Sequence, residues 1–481
     1  MPKLSEKQLQ RLTAVVSATP KIQKLAKAFA DANQEFYLIG GSVRDALLGV
    51  SSSDLDFTTS ARPEQIEELL RKVTPATWDI GRAFGTIGGH VTEADGCDWI
   101  VEITTFRADS YDPQSRKPTI SFGDHLAGDL IRRDFTINAM AVSMETGELF
   151  DPFGGIVDLE NRLIRTPSAA EISFTDDPLR MMRAARFVSQ LGFLTDVDLV
   201  RAMVEFKDRL QIVSAERIRD ELSKLLLGSH TREGLNLLVE TGIADIVLPE
   251  LPALRMERDE HNRHKDVYEH SLVVLEQAID LEKSRGHSPD LVLRLAALLH
   301  DIGKPATRRF EGDSKVSFYH HDVVGAKLAR KRLRELRFPN DVVEAVSKLI
   351  ELHLRFHGYQ EQGWNDSAVR RYVHDAGEQL ERLHILTRSD CTTHNAAKAN
   401  KLHTTYEQLE WRIDELAAQE ELAAIRPDLN GDEIMAILEI PAGPQVGQAY
   451  KFLLERRMES GPLGKESARE ELLAWWASTP R

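Results

Sequence analysis

Asp54-Leu55-Asp56 places two carboxylates either side of one apolar residue. On a strand, side chains two apart project to the same side, so both acids face one point. Like charges held together are costly unless a cation sits between them. Oxygen ligands of this kind suit Mg²⁺ shared with substrate phosphates. Glu102 is a candidate third carboxylate, because its neighbours Val101 and Ile103 fit the opposite, buried face of a strand. Just upstream, Gly40-Gly41-Ser42-Val43-Arg44-Asp45 stands between a strand-like Phe36-Tyr37-Leu38-Ile39 and a helical Ala46-Leu47-Leu48. Two glycines at such a junction let the backbone approach a ligand. The helix N-terminus then turns free N–H groups toward an anion, and Arg44 adds a fork suited to phosphate.

A second constellation is made of histidines. An apolar run from Leu291 to Leu299 ends in His300-Asp301-Ile302-Gly303-Lys304-Pro305, where Gly and Pro stop the helix directly after two potential ligands. His261, His264 and His270 lie upstream; His320, His321, His353 and Asp390 lie downstream. Imidazole with carboxylate suits a divalent transition metal such as Mn, Fe, Ni, Co or Zn.

These groups need a frame. Residues 1–32 read as one polar helix. Between 33 and 160, short apolar stretches such as 99–104 alternate with Gly-rich turns, which predicts strands with interspersed helices. Apolar residues at three- and four-residue spacing then predict helices through 161–255, through a histidine-bearing 256–400 and into a tail over 401–481. The fold class expected is α+β, a mixed-sheet head followed by all-α segments. At 481 residues the chain is too long for one core. Cys97 and Cys391 cannot build a disulfide framework or a cysteine zinc cage, which fits a reducing compartment. The first residues lack a signal-peptide pattern and no apolar run spans a bilayer, so a cytoplasmic protein is expected. A net charge of -15 argues against a chain coated in nucleic acid but leaves room for a local basic surface. Arg132-Arg133 and Arg180, Arg183 and Arg186 are candidates for that surface; Arg330 to Arg337 read as a solvated helix face.

The order strand, GG-x-V-R-D, helix, D-x-D resembles the head of tRNA nucleotidyltransferases and bacterial poly(A) polymerases, in the polymerase-beta-like superfamily. The likeness continues at Arg132-Arg133-Asp134-Phe135-Thr136-Ile137-Asn138-Ala139-Met140, at Asp151-Pro152-Phe153-Gly154-Gly155 with Asp158, at Asp176 to Phe187, and at Ser214-Ala215-Glu216-Arg217-Ile218. The resemblance implies that Asp54 and Asp56 bind Mg²⁺, that Gly41, Arg44 and Arg133 hold a nucleoside triphosphate, and that Asp134 and Asn138 lie near its ribose. Asp177 and Arg180, three apart, would share a helix face and meet a base edge. A carboxylate only accepts and a guanidinium only donates. Cytosine and adenine present an amino donor beside a ring-nitrogen acceptor, whereas uracil and guanine reverse that pattern. Such a pair therefore selects CTP and ATP. Arg183 and Arg186 continue the face, to brace the pair or contact phosphate. Where the family commonly has Glu-Asp before this helix, the sequence has Asp176-Asp177.

The histidine order resembles the HD superfamily of metal-dependent phosphohydrolases. That likeness implies a principal metal site of His270, His300, Asp301 and Asp390, with His320 or His321 and His353 completing a second position. Phosphomonoesters or 2′,3′-cyclic phosphates at RNA ends are its implied substrates. The tail motifs 429–434 and 441–447 resemble the C-terminal helical segment of the same enzymes, which implies tRNA binding there; a helix cap explains them equally well. The expected activity is template-independent addition of C, C and A to tRNA. Poly(A) synthesis, addition of CC or A alone, and an HD hydrolase with a degenerate head remain open as alternatives.

Overall fold

The structure, a computed structural model, describes residues 5–17, 20–50, 54–79, 82, 85–93, 96, 98–107, 123, 125–255, 266–311, 315–356, 365–392, 396–420, 422 and 425–479. They form two compact units, Met1–Pro249 and Glu250–Arg481.

The first unit opens with two helices, Glu6–Ser17 and Pro20–Asp31, where the sequence pattern predicts one. Pro20 accounts for the difference: proline has no N–H to continue a helix and biases the preceding residue away from helical backbone. A seven-stranded mixed sheet follows, built from β1 (Phe36–Ile39), β2 (Asp54–Thr59), β3 (Thr77–Trp78), β4 (Thr86–Thr92), β5 (Asp98–Thr105), β6 (Ala141–Ser143) and β7 (Leu149–Phe150). The order across it is β3-β4-β5-β2-β1-β6-β7. β2 and β5 run parallel; every other pair is antiparallel. Phe29, Phe36 and Phe57 stack face to face at 4.2 and 4.6 Å, clamping the second helix onto β1 and β2. Leu55 and Phe57 fill the core, and strand alternation turns Asp54 and Asp56 to the other face.

Beyond the sheet the unit is helical, as expected, apart from a two-residue parallel pairing of Leu163–Ile164 with Leu194–Thr195. The Leu179–Leu191 helix is buried along most of its length, and the Ala215–Leu226 and Thr231–Glu240 helices pack against it. The fold is α+β, as the sequence predicts.

The second unit is helical from Val267–Ser284 to Lys465–Ser478, with one departure: Arg309–Glu311 and Lys315–Ser317 pair as an antiparallel ribbon inside the stretch read as helical. The Arg330–Arg337 cluster is a paired surface, with Arg330 and Arg334 on Glu344 and Arg332 on Glu250. The Glu420 side chain, 3% exposed, accepts from both Arg370 and Arg457 and so ties three helices together. No described helix is long and apolar enough to cross a membrane.

Gly303 marks the closest packing in this unit. A Cβ there would stand 2.1 Å from the His321 carbonyl oxygen and 2.7 Å from the Gly325 amide. The missing side chain lets the turn after His300-Asp301 lie directly on the His321–Glu335 helix. Gly303→Ala is expected to destabilise the chain by about 1–3 kcal/mol through overpacking. An unchanged urea-denaturation midpoint would show that the backbones are free to separate.

Candidate active site and metal centre

In the head, register brings the three acids together. Asp56 lies directly opposite Glu102 across the parallel β2–β5 pair, with Asp54 on the same face. Ser42, the middle residue of the glycine motif, fixes the β2 backbone between the two aspartates: its hydroxyl donates to the Asp54 carbonyl at 3.2 Å and accepts from the Asp56 N–H at 3.0 Å. Burial first, and then the charge of Asp54, push Asp56 upward, while Arg133 and Arg44 pull it back. Glu102 is also raised, by burial and then by Asp56 and Asp54. The acids stand close enough to repel, the condition a divalent cation relieves. Gly40 has φ of 69°, which favours glycine, and a Cβ there would meet the Arg133 guanidinium at 3.0 Å.

Behind the acids runs a polar relay. Arg44 donates to Asn138 Oδ1 at 2.7 Å and is also held by Asp45 at 2.8 Å. Asn138 donates in turn to Asp134 Oδ1 at 3.0 Å, and Arg183 Nε donates to Asp134 Oδ2 at 2.9 Å. Burial alone would raise the Asp134 carboxyl, but Arg183 and Asn138 overcome it and hold the group well below the usual carboxylate range. Asp134 and Asn138 thus spend their polar atoms on Arg183, Arg44 and each other, where the sequence reading placed them beside a ribose.

A cleft of about 270 Å³ opens over this relay, lined by Arg107, Arg132, Arg133, Asp134, Asp177, Arg180 and Arg183 together with Thr104 and Asp129. Asp177 and Arg180 both face it, but not from one helical face. Asp177 is extended (φ -142°, ψ 101°) at the junction between the Ala170–Asp176 and Leu179–Leu191 helices, because Pro178 follows it. Its Oδ1 accepts the Leu179 N–H at 3.1 Å, and Oδ2 accepts from Arg217 at 3.0 Å. Arg180 is anchored on Ser173 Oγ at 2.9 Å and on the Arg132 carbonyl. Arg186 is absent from the cleft lining: it pairs with buried Glu221 at 3.1 Å and lies over Phe187, which joins two helices.

The second unit gathers the other constellation into two touching groups: His270, His300 and Asp390, and Asp301, His321 and His353. His320, an alternative in the sequence reading, is outside both. It is exposed, with φ of 61°, at the start of the helix whose next residue, His321, turns inward. His261 and His264 lie outside the described residues. Asp301 spans the groups, with Oδ2 3.2 Å from His300 Nε2 and Oδ1 3.3 Å from His321 Nε2. His300, His321 and His353 share one backbone arrangement, each placing Nδ1 at 2.6–2.9 Å from the carbonyl three residues earlier. Donation there fixes the tautomer and leaves the Nε2 lone pair facing inward, as metal-bound histidines are commonly held. Nε2 of both His300 and His353 is buried with no hydrogen-bond partner. Burial pushes His353 down to about 4, whereas Asp301 and Asp390 outweigh burial at His300 and lift it to about 10. The unpartnered Nε2 of neutral His353, beside carboxylates that draw a positive charge onto His300, fits a site for a divalent cation.

Three family models match in sequence: the poly A polymerase head domain over residues 36–165, the "Probable RNA and SrmB-binding site of polymerase A" over 192–254, and the HD domain over 267–395. An A-adding tRNA nucleotidyltransferase of Deinococcus radiodurans is 32% identical over 92% of this chain and 96% of its own. The chain belongs to the tRNA nucleotidyltransferase family. This is a family of metal-dependent nucleotidyltransferases. A CCA-adding enzyme of Geobacillus thermodenitrificans is 44% identical over 44% of this chain and 50% of its own. The fold matches the crystal structure of the Bacillus stearothermophilus CCA-adding enzyme in complex with CTP, with a TM-score of 0.65 and 25% identity across 96% of this chain and 98% of that one.

Asp129 (3.1 Å from Arg133), Ser173 and Glu221 escape the sequence reading, and Ser42 and Lys304 (2.6 Å from Asp301) enter it only inside motifs. Each acts on another polar residue rather than completing a pattern of its own. Arg217, noted only within a motif, is in fact a partner of Asp177.

Asp134→Asn would leave Arg183 without its counter-charge. Breaking a buried pair costs about 3–5 kcal/mol; because the Arg183 side chain is 35% exposed, about 2 kcal/mol is expected. Since Asp134 is depressed in the folded chain, its contribution is fully present above about pH 4 and is lost as pH falls below that. Denaturation midpoints of wild type and variant should differ at pH 7 and converge in acid. A gap independent of pH would mean that the ion pair is not its source.

Proposed function

We propose that this tRNA nucleotidyltransferase adds C, C and A to the tRNA 3′ end from CTP and ATP, with the protein itself reading each base. The observation that carries this reading is the cleft that brings Asp177 and Arg180 to the same space as Arg133. Asp54 and Asp56, with Glu102, hold the metal, and Mg²⁺ is the ion their oxygens suit. When bound, it supplies the charge that acidifies the RNA 3′-hydroxyl and steadies the departing pyrophosphate. The 3′-oxygen bonds to the α-phosphorus as the bond to pyrophosphate breaks. Gly41, Arg44 and Arg133 receive the triphosphate, and Asp134 and Asn138 serve by holding Arg183 and Arg44 in place. Asp177 accepts from the exocyclic amine of cytosine or adenine; Arg180 and Arg183 donate to the ring nitrogen.

A second reading, addition of A alone, is favoured by the A-adding Deinococcus relative, which matches along almost the whole chain. The Bacillus structure with CTP and the Geobacillus relative support the full sequence. In the second unit, His270, His300, Asp301, His321, His353 and Asp390 hold divalent transition metal for hydrolysis of a phosphomonoester or 2′,3′-cyclic phosphate at an RNA end. We assign 33–160 to catalysis, 161–255 to base reading, 256–400 to hydrolysis and 401–481 to tRNA, with 1–32 a helical lead-in.

Labelled CTP and ATP offered with tRNA lacking CCA, tRNA ending in CC and an unstructured RNA separate the readings. Three nucleotides on the first and one on the second are expected. Addition of A to the second alone supports the restricted reading, and long A tails on every RNA overturn both. Asp54→Ala with Asp56→Ala should abolish addition and spare hydrolysis. Asp177→Ala should cut discrimination against UTP and GTP about tenfold or more, as expected for a lost charged hydrogen bond. Unchanged discrimination would overturn the base-reading assignment.

A further inference from the structure

The two arginines that meet the base in the function proposed above are held in different ways. Arg183 bonds to a carboxylate, Asp134. Among the described residues Arg180 bonds to none: Nη1 donates to Ser173 Oγ at 2.9 Å and to the Ser173 carbonyl at 3.4 Å, and Nη2 donates to the Arg132 carbonyl. Arg180 is nevertheless buried, and Ser173 is closed to solvent. Asp177 turns instead to Arg217 and the Leu179 N–H, and Asp134 to Arg183 and Asn138. Asp176, four residues before Arg180, makes no ion pair with it. Burial raises the Asp176 carboxyl, and Arg180 and Arg132 offset only part of that rise. Its side chain is one methylene shorter than that of the Glu common at this place in the family.

A charged donor makes the stronger kind of hydrogen bond, so neutral oxygens on two separate segments suffice to set the plane of the guanidinium. We propose that Ser173 is a specificity-determining positioning residue, whose hydroxyl stands where a longer acid would and aims Arg180 at the ring nitrogen of the incoming base. This inference rests on the base-reading assignment above and adds the group that keeps Arg180 in line. The three bonds leave two of the five guanidinium N–H groups for the cleft that Arg180 lines. A neutral anchor fixes the fork without taking up its charge. Adenine offers those donors a ring-nitrogen acceptor, whereas guanine sets an N–H against them and leaves a buried polar group unpaired. Without the Ser173 hydroxyl the fork is free to turn, and the penalty against guanine falls.

The full-length protein with Mg²⁺ and a tRNA ending in CC provides the test, and the quantity read is the ratio of kcat/KM for ATP to that for GTP. Ser173→Ala should lower this ratio about tenfold, the equivalent of about 1.4 kcal/mol, chiefly by raising KM for ATP. Loosened helix packing alone would depress both nucleotides alike and leave the ratio where it was. Arg180→Ala should lower the ratio as far or further, and Ser173→Ala added to Arg180→Ala should lower it no more, because the hydroxyl acts only through the arginine. A wild-type ratio in Ser173→Ala overturns the positioning role, as does a second fall of the same size on top of Arg180→Ala; base reading stands in both cases if Arg180→Ala itself relaxes the choice. An ATP preference that survives Arg180→Ala overturns base reading by Arg180 and this inference together.

Discussion

Ligand groups that a rigid frame will not let apart are the constraint on which both halves of this molecule turn. In the head the frame is the parallel β2–β5 register, which sets Asp56 opposite Glu102, and the Ser42 hydroxyl, which locks the backbone between Asp54 and Asp56. In the second unit it is the Gly303 turn lying against the His321 helix, and the backbone carbonyls that orient three imidazoles. The head stores carboxylate repulsion and the second unit leaves the buried His353 Nε2 unpartnered, and a divalent cation would remove either cost. The two differ in ligand type: oxygen alone at one centre, nitrogen with oxygen at the other, which is the chemical division between Mg²⁺ and the transition metals.

The arginines show a second economy. Under the proposed function Arg133, Arg180 and Arg183 meet anionic or polar substrate, and an arginine left loose would lose side-chain entropy on every encounter. Each is held before substrate arrives, by Asp129, by Ser173 and the Arg132 carbonyl, and by Asp134 respectively. Buried Asp134 is the hub, since it orients Arg183 directly and Arg44 through Asn138. Buried ion pairs seldom add net stability over apolar packing; their value here is fixed geometry.

How far the sequence reveals this depends on whether a residue acts through its own spacing or through a partner far along the chain. Asp54 and Asp56 are legible because strand alternation is local, and His300-Asp301 because a helix stop follows at once. The seven-strand order is not legible, because β2 and β5 are brought together by pairing over a long separation. Glu221 and Asp129 look like ordinary helix-surface acids until Arg186 and Arg133 are seen against them. The shared helix face expected of Asp177 and Arg180 failed for a local reason, since Pro178 forces Asp177 out of helical backbone; the common cleft survived. Between His320 and His321 spacing could not choose. The left-handed turn at His320 decides it by sending one ring outward and the next inward.

Anomalous diffraction from crystals soaked in Mn²⁺ shows directly whether each cluster takes a cation. One ion is expected between Asp54 and Asp56, with carboxylate oxygens at about 2.2 Å, and density in the second unit among His270, His300, Asp301 and Asp390. No ion between Asp54 and Asp56 under conditions that fill the histidine cluster, with their carboxylates turned apart, would contradict it.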